Sequence, residues 1–438
     1  MKILTFWSRL PNIDSSYTIQ THNIVEALKE KTNVSIIWLV CMPNRLTSIP
    51  EFPHDVKIID IHDYKNALDV LEKEKPDIIL ASASYNLISY SLSIAGKFLG
   101  IPVVSDFSKE LKSSVYPSLI LSLKQFFEDT VPTDIDENQK QFLRHGRFFL
   151  YKFSFVLKTQ NAIKMSVLKK LKFSLILIKH NLFYEILPMD SRFANNLHWL
   201  SSESLVEPLL KAGFDKNTLI VTGDPLYDKQ FQKTSQMNKE NNKENNKENN
   251  KENNKENNKE KINILFAPST FYEHGLCKKS EQDDAIRSVL KILSENRLFN
   301  LTLKIHPSSA IMYLYRELVD SIDPSIQIFQ SGNIVEFIDK TDLLIVFPTT
   351  SIGIFALAVK KPVITYNFLD YKGDILIDNK VVVECKDPST LPSLINSTLK
   401  NPISQETINQ FLTDSFYKID GRASQRIADE IINLLRKS

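Results

Sequence analysis

Apolar residues in this chain fall in short unbroken runs, and each run ends in small polar residues before a helical pattern begins. In the first half the runs are KILTF (2–6), VSIIWLV (34–40), VKIIDI (56–61), DIILAS (77–82) and IPVVSDF (101–107). An unbroken run, rather than an alternation of apolar and polar, predicts a strand covered on both faces, as in a parallel sheet. Between the runs, THNIVEALKEK (21–31), YKNALDVLEKEK (64–75) and a stretch through SLSIAGKFLG closed by Gly100 carry helical periodicity. Strand and helix in alternation predict a doubly wound parallel sheet. A less regular helical region follows from about Ser113 to Asn181, and HWLSSE (198–203) reads as a strand running into a helix start.

The second half repeats the theme more sharply: INILFAPSTFYEHG (262–275), NLTLKIHPSS (300–309), IQIFQSGNIVEFI (326–338) and TDLLIVFPTTSIGIFALAVKKPVITYNF (341–368). These predict a second α/β sheet from Ile262 to about Thr390, with a helix from near Arg422 closing the chain. Between the two halves, residues 238–261 read NKENNKENNKENNKENNKENNKEK. As a helix this tract would set Lys over Lys and Glu over Glu at i,i+4, and half of its positions are Asn, with no apolar face. It predicts a solvated, disordered linker at a surface crossover; a tuned spacer is the alternative. The domain plan is therefore 1–232, a linker over 233–261, a second domain over 262–412, and a last helix over 413–438.

In open α/β sheets ligands bind beyond the carboxyl ends of the strands, near helix N-termini. That rule gathers His274, His306, Ser331, Gly332, Thr349, Thr350 and Ser351 on one rim, where hydroxyls and backbone N–H groups suit a phosphate. His306 precedes Pro307, which holds it extended and aims the imidazole off the sheet edge; a structural histidine bonded to backbone is the bland alternative. Thr349, Thr350 and Ser351 follow LLIVFP and form either an anion nest or a plain helix cap, two roles that are compatible. Ser331-Gly332 is a second such turn. His274, beside Glu273, Lys278 and Lys279, has the chemistry of a general acid or base, or of a phosphate ligand, in what is otherwise an exposed polar loop. In the first half, Asp106 and Glu110 follow IPVVS; a carboxylate there can take the proton of an acceptor hydroxyl or simply cap a helix.

The order of these motifs resembles the GT-B glycosyltransferase superfamily, nearest to the UDP-N-acetylglucosamine 2-epimerase-like and CDP-glycerol glycerophosphotransferase-like families. LLKAGFDKNTLIVTGDPLYD (209–228) is similar to the segment that closes their first domain, and KIHP (304–307) to their His-Pro donor loop. DLLIVFPTTSIGIFALAVKKPVI (342–364) is similar to their Ser/Thr turn and helix, and DGRASQRI (420–427) to their closing helix. The resemblance implies two Rossmann-like domains facing a cleft, with the acceptor on the first and a nucleotide-activated donor on the second. It implies that His306 meets the donor's diphosphate, that an acid in the region of Glu336 meets the nucleotide, and that Asp106 serves as base. Two positions depart from the pattern. Phe355-Ala356 stands where many such transferases carry the acid that holds the donor ribose. ASASYN (81–86) lacks the acid that the 2-epimerases have there, which counts against proton abstraction at carbon. The implied activity is transfer of a sugar or polyol phosphate from a nucleotide-sugar or CDP-polyol donor to a surface-polysaccharide, glycan or lipid-linked acceptor. A hydrolysing 2-epimerase and a non-catalytic relic of the fold are the rival readings.

Composition narrows the rest. The 438 residues exceed one ordinary core, which fits two domains. With 54 Lys and Arg against 52 Asp and Glu, the balance gives no reason to expect nucleic acid. Ten glycines make neither GxGxxG nor a phosphate-binding P-loop. Cys41, Cys277 and Cys385 lie far apart, which predicts a reducing compartment and no zinc site. No DxD motif ends a strand, so the leaving diphosphate is expected to rest on helix N-termini, His and Lys, with no metal and no cofactor beyond the donor substrate. The opening MKILTFWSRLPN breaks at Arg9 and Pro11, and no long uncharged apolar run occurs, which predicts neither signal peptide nor spanning helix. One regional bias stands out: residues 139–184 hold no acid but ten Lys or Arg, interleaved with aromatic and aliphatic residues. That pattern predicts a cytoplasmic protein touching anionic lipid on the inner face of the membrane, with Phe148, Phe149 and Tyr151 adding apolar insertion if exposed and only the charge acting if they are core; a packed helix pair with snorkelling lysines is the alternative.

Overall fold

The computed structural model describes residues 1–7, 11, 15–41, 52, 55–82, 87–107, 150–183, 195–211, 213–235, 261–272, 276–306, 312–332 and 334–437. The first sheet has seven strands: β1 (Lys2–Phe6), β2 (Ser35–Val40), β3 (Val56–Asp60), β4 (Ile78–Ser82), β5 (Val103–Phe107), β6 (Leu197–Leu200) and β7 (Leu219–Val221). Their spatial order is β3-β2-β1-β4-β5-β6-β7, all parallel. The chain starts in the middle, walks out to one edge, then returns to β4 and walks to the other. The second sheet repeats this logic with β8 (Ile262–Ala267), β9 (Phe299–Lys304), β10 (Gln327–Phe329), β11 (Leu343–Val346), β12 (Val363–Tyr366) and β13 (Val383–Cys385), ordered β10-β9-β8-β11-β12-β13. The two-domain, doubly wound α/β plan expected from the runs is the plan found.

Burial on both faces explains why the runs lack alternation. Ile3 packs into a cluster with Ile24, Leu28 and Ile431, whereas Leu4 packs on the other face with Ile37, Val70 and Ile88. Helix Ser16–Lys29 begins five residues before the sequence pattern suggests. Its first turns bury polar residues that carry no apolar signal: Gln20 Nε2 donates to Asp224 Oδ1 at 2.8 Å, and Asn23 Nδ2 to the carbonyl of Pro225 at 2.7 Å.

Residues just before position 232 also touch the second domain. Leu226, Tyr227 and Phe231 pack with Leu344, Val346, Phe355 and Phe416 in the second domain's core. Thr234 Oγ1 donates to the Ala358 carbonyl and Lys233 pairs with Asp339 at 2.5 Å. Asp224 and Pro225 meanwhile bond to helix Ser16–Lys29 of the first domain, so the segment before residue 232 packs on both domains. The lysine–glutamate–asparagine tract lies outside the described residues up to position 260. The last helix, Ala423–Lys437, returns to the first domain, where Ile427, Ala428 and Ile431 join the core of Ile3 and Val104. Asp228 secures both passages at once: it accepts from the backbone N–H of Ala423 (2.9 Å) and Ser424 (2.7 Å) and from Ser424 Oγ (2.5 Å).

Residues 150–162 are helical, as is Val167–Phe183. Tyr151 stacks on His62 with ring centroids 4.3 Å apart, and Phe155 and Val156 are core residues. Phe173 stacks on Tyr90 at 4.5 Å. Of the two placements weighed for the aromatics, Tyr151 takes core packing, and Phe148 and Phe149 lie outside the described residues. Among the described residues no helix is long and apolar enough to cross a membrane.

Candidate functional site

The second sheet changes winding direction between β8 and β11, and the segments after those two strands flank the crevice that this reversal opens. After β8 comes Pro268-Ser269-Thr270; after β11 comes Phe347-Pro348-Thr349-Thr350-Ser351. Ser269 Oγ donates to the Pro348 carbonyl at 3.1 Å, which ties the two segments together. Thr349 has φ of +65°, a left-handed conformation that a β-branched residue adopts only under constraint. The constraint is its N–H, which donates to Asp374 Oδ2 at 2.6 Å. Asp374 is buried and its other oxygen accepts from the N–H groups of Leu376 (3.0 Å) and Ile377 (2.9 Å).

Thr350 is the N-cap of helix Ser351–Ala358, its Oγ1 accepting from Ile352 N at 3.2 Å. Of the two roles weighed in the sequence, the cap is the one these hydrogen bonds show. The Thr349 N–H, however, is taken by Asp374. What remains for a phosphate is the hydroxyl of Thr349, the exposed Ser351 and the free end of the helix. Phe355 and Ala356 on that helix are buried; Phe355 packs on Tyr227 with centroids 4.9 Å apart. That side of the helix faces the seam with the crossover segment, so a carboxylate there would be buried.

On the other flank of β8, His306 follows β9 and is exposed. Ile305 N donates to the Phe329 carbonyl at 2.8 Å, which sets the end of β9 beside the end of β10. Lys304, only 4% exposed, places Nζ 2.7 Å from the Gln330 carbonyl and 3.4 Å from that of Ile305. It clamps the turn Ser331-Gly332 against the strand that carries His306. Gly332 has φ of +108°, and a Cβ there would meet the Phe337 ring at 3.0 Å, so glycine is required. Glu336 is exposed on helix Ile334–Asp339. His306 with Ser331-Gly332, and Ser269 with Thr349–Ser351, therefore line the same edge. At the usual spacing of paired strands, His306 and Thr349 stand two strands, roughly 10 Å, apart.

The two catalytic candidates are less constrained. His274 lies outside the described residues. Asp106 is the next-to-last residue of β5, in register with Ser82 and Trp199, which puts its backbone at the carboxyl edge of the first sheet; its side chain is outside the described set. Sequence reasoning missed Ser269, Lys304 and Asp374. Ser269 ends an apolar run as its neighbours do and was open to detection. A buried lysine and a loop aspartate carry no sequence signal of their own.

A further buried polar group sits under the first sheet's edge. His198 of β6 accepts or donates at 2.6 Å with Ser105 Oγ of β5, and Asn195 Nδ2 donates to the same oxygen at 2.7 Å. Burial pushes the His198 imidazole down to about 4, so it is neutral.

No protein-family model matches the chain, and no curated protein matches it in sequence. Solved structures do match it. The S. aureus MnaA–UDP complex superposes with a TM-score of 0.54 at 14% identity, covering 99% of this chain and 97% of that one. The UDP-GlcNAc 2-epimerase from Neisseria meningitidis bound to UDP-GlcNAc gives 0.52 at 13%, covering 99% and 100%. CalG4, the calicheamicin glycosyltransferase, gives 0.51 at 10%, covering 100% and 98%. At these identities the likeness is one of fold, and it extends over both domains: the architecture is GT-B-like.

Proposed function

We propose that the protein is an enzyme acting on a nucleotide-activated sugar or polyol, and within that class a transferase. The observation that carries this reading is the composite rim on the second sheet: His306 and the Ser331-Gly332 turn on one side of β8, and Ser269 with Thr349, Thr350 and Ser351 on the other, astride the reversal between β8 and β11. Hydroxyls, a helix N-terminus and an imidazole there suit the phosphates of a nucleotide. Solved proteins of this fold support the reading, since one is described with UDP and another with UDP-GlcNAc.

In the proposed reaction an acceptor hydroxyl oxygen attacks the anomeric carbon of a sugar donor, or the phosphorus of a polyol phosphate. The bond to the nucleotide breaks, the nucleotide leaves with the electron pair, and the hydroxyl proton passes to a base. Asp106 is the proposed base, with His274 next to the leaving group; His306 and the hydroxyl rim hold the phosphates, and Glu336 meets the nucleotide. The chemistry calls for no resident cofactor or metal. The acceptor is a glycan, a surface polysaccharide or a lipid-linked sugar.

A hydrolysing 2-epimerase is the second reading, favoured by the epimerases among the structural neighbours. Thermal shift against UDP-, CDP- and GDP-linked donors tests the shared premise, because a ligand that binds only the folded state raises Tm by mass action. Incubating the bound donor without acceptor then separates the two: a 2-epimerase changes the sugar and releases nucleotide, and a transferase leaves the donor intact. No shift with any donor removes both.

A further inference from the structure

Helix Val167–Phe183 has two unlike faces. Phe173 is fully buried and stacked on Tyr90. Val167, Leu168, Leu171 and Leu175 are 70%, 79%, 57% and 66% exposed. At 100° per residue these four fall within an arc of about 100° on the side away from Phe173. A contiguous apolar stripe on an exposed helix face marks an interaction surface. The surrounding charge indicates the kind of partner. Lys172, exposed, falls about 40° beyond Leu168 and Lys170, half-buried, about 60° before Val167, so lysines flank the stripe on both sides, and residues 139–184 contain no Asp or Glu. Protein interfaces are depleted of lysine, and a second copy of this face would bring like charges together. A bilayer with anionic headgroups meets both features: leucines enter the acyl boundary while lysine stems lie along them and their ammonium groups reach the phosphates.

We propose that the outward face of helix Val167–Phe183 docks on the surface of an anionic lipid bilayer, with Val167, Leu168, Leu171 and Leu175 inserted and the flanking Lys170 and Lys172 on the headgroups. The docking element differs from the aromatic anchors expected from the sequence. It stands independently of the reaction proposed above, since the stripe belongs to the first domain and touches no donor-rim residue.

Flotation of the full chain with vesicles tests this, using pure phosphatidylcholine and a mixture with phosphatidylglycerol. The chain is expected to float with the mixture at low salt and to dissociate as salt rises. Each lysine lost lowers the partition coefficient about fivefold, from about 1 kcal/mol per charge. Leu168→Ser with Leu171→Ser, and separately Lys172→Glu, should each lower it more than tenfold. All three side chains are exposed, so the thermal melts of both variants should match wild type. Wild type that stays unbound at low salt overturns the proposal. So does binding unaffected by either variant, and so does a dimer, seen by light scattering, that only the leucine pair dissociates.

Discussion

At the scale of single residues, two side chains have consequences that can be measured. His306→Ala should weaken binding of the nucleotide donor by about 1–3 kcal/mol, the usual loss for one hydrogen bond to a charged group, with Tm unchanged because the imidazole is exposed. Equal donor affinity in wild type and variant, by calorimetry, would take His306 out of the site. His198 acts on stability instead. Its folded value of about 4 lies below the ordinary 6.5, so the unfolded chain takes up a proton first as pH falls. The stabilisation is complete above pH 6.5 and lost between 6.5 and 4, up to about 3 kcal/mol. Urea unfolding at pH 7 and pH 5 should show the loss, and His198→Gln should flatten it; an unchanged pH slope in the variant argues against the assignment. The two histidines were unequally legible. His306 precedes a proline at the end of an apolar run, whereas His198 sits in LHWL, where a strand covered on both faces leaves no alternation to reveal which side chains are buried.

At the scale of elements, strands and helices were nearly all legible, because each run is uniformly apolar and most of the helices are amphipathic. What escaped was whatever polar contacts decide. The first turns of helix Ser16–Lys29 are ordered by Gln20 and Asn23 against Asp224 and Pro225, and no periodicity announces that. Asp374 is the same case: it looks like a loop residue, yet it fixes the left-handed Thr349 and the start of helix Ile375–Asp378 together. Asp374→Ala should cost about 1–3 kcal/mol in stability, through a lost cap and a stranded N–H. It should also release the turn that precedes Ser351. Denaturant melts measure the first effect. Nucleotide affinity measures the second, and a variant as stable as wild type would show that the three hydrogen bonds carry no net weight.

At the scale of the whole molecule, the two sheets were legible and the seam between them was not. The aromatic group of Tyr227, Phe231, Phe355 and Phe416 joins the crossover segment to the second core, and in the sequence its members are scattered over nearly two hundred positions. Phe355→Ala should cost about 3–5 kcal/mol by leaving a cavity there; a melt within a degree of wild type would mean that the seam repacks. The closing helix offers a different consequence, a mechanical one. Because β1 and Ala423–Lys437 share one core, a load applied between residues 1 and 437 never runs along the second domain while that helix holds. Only when the helix has been peeled from Ile3 and Ile24, and the Asp228 bonds to Ala423 and Ser424 have parted, does the force reach the second sheet. An optical-trap trace should therefore show a small early extension for the helix and a larger, later one for the domain behind it, in that order in every pull.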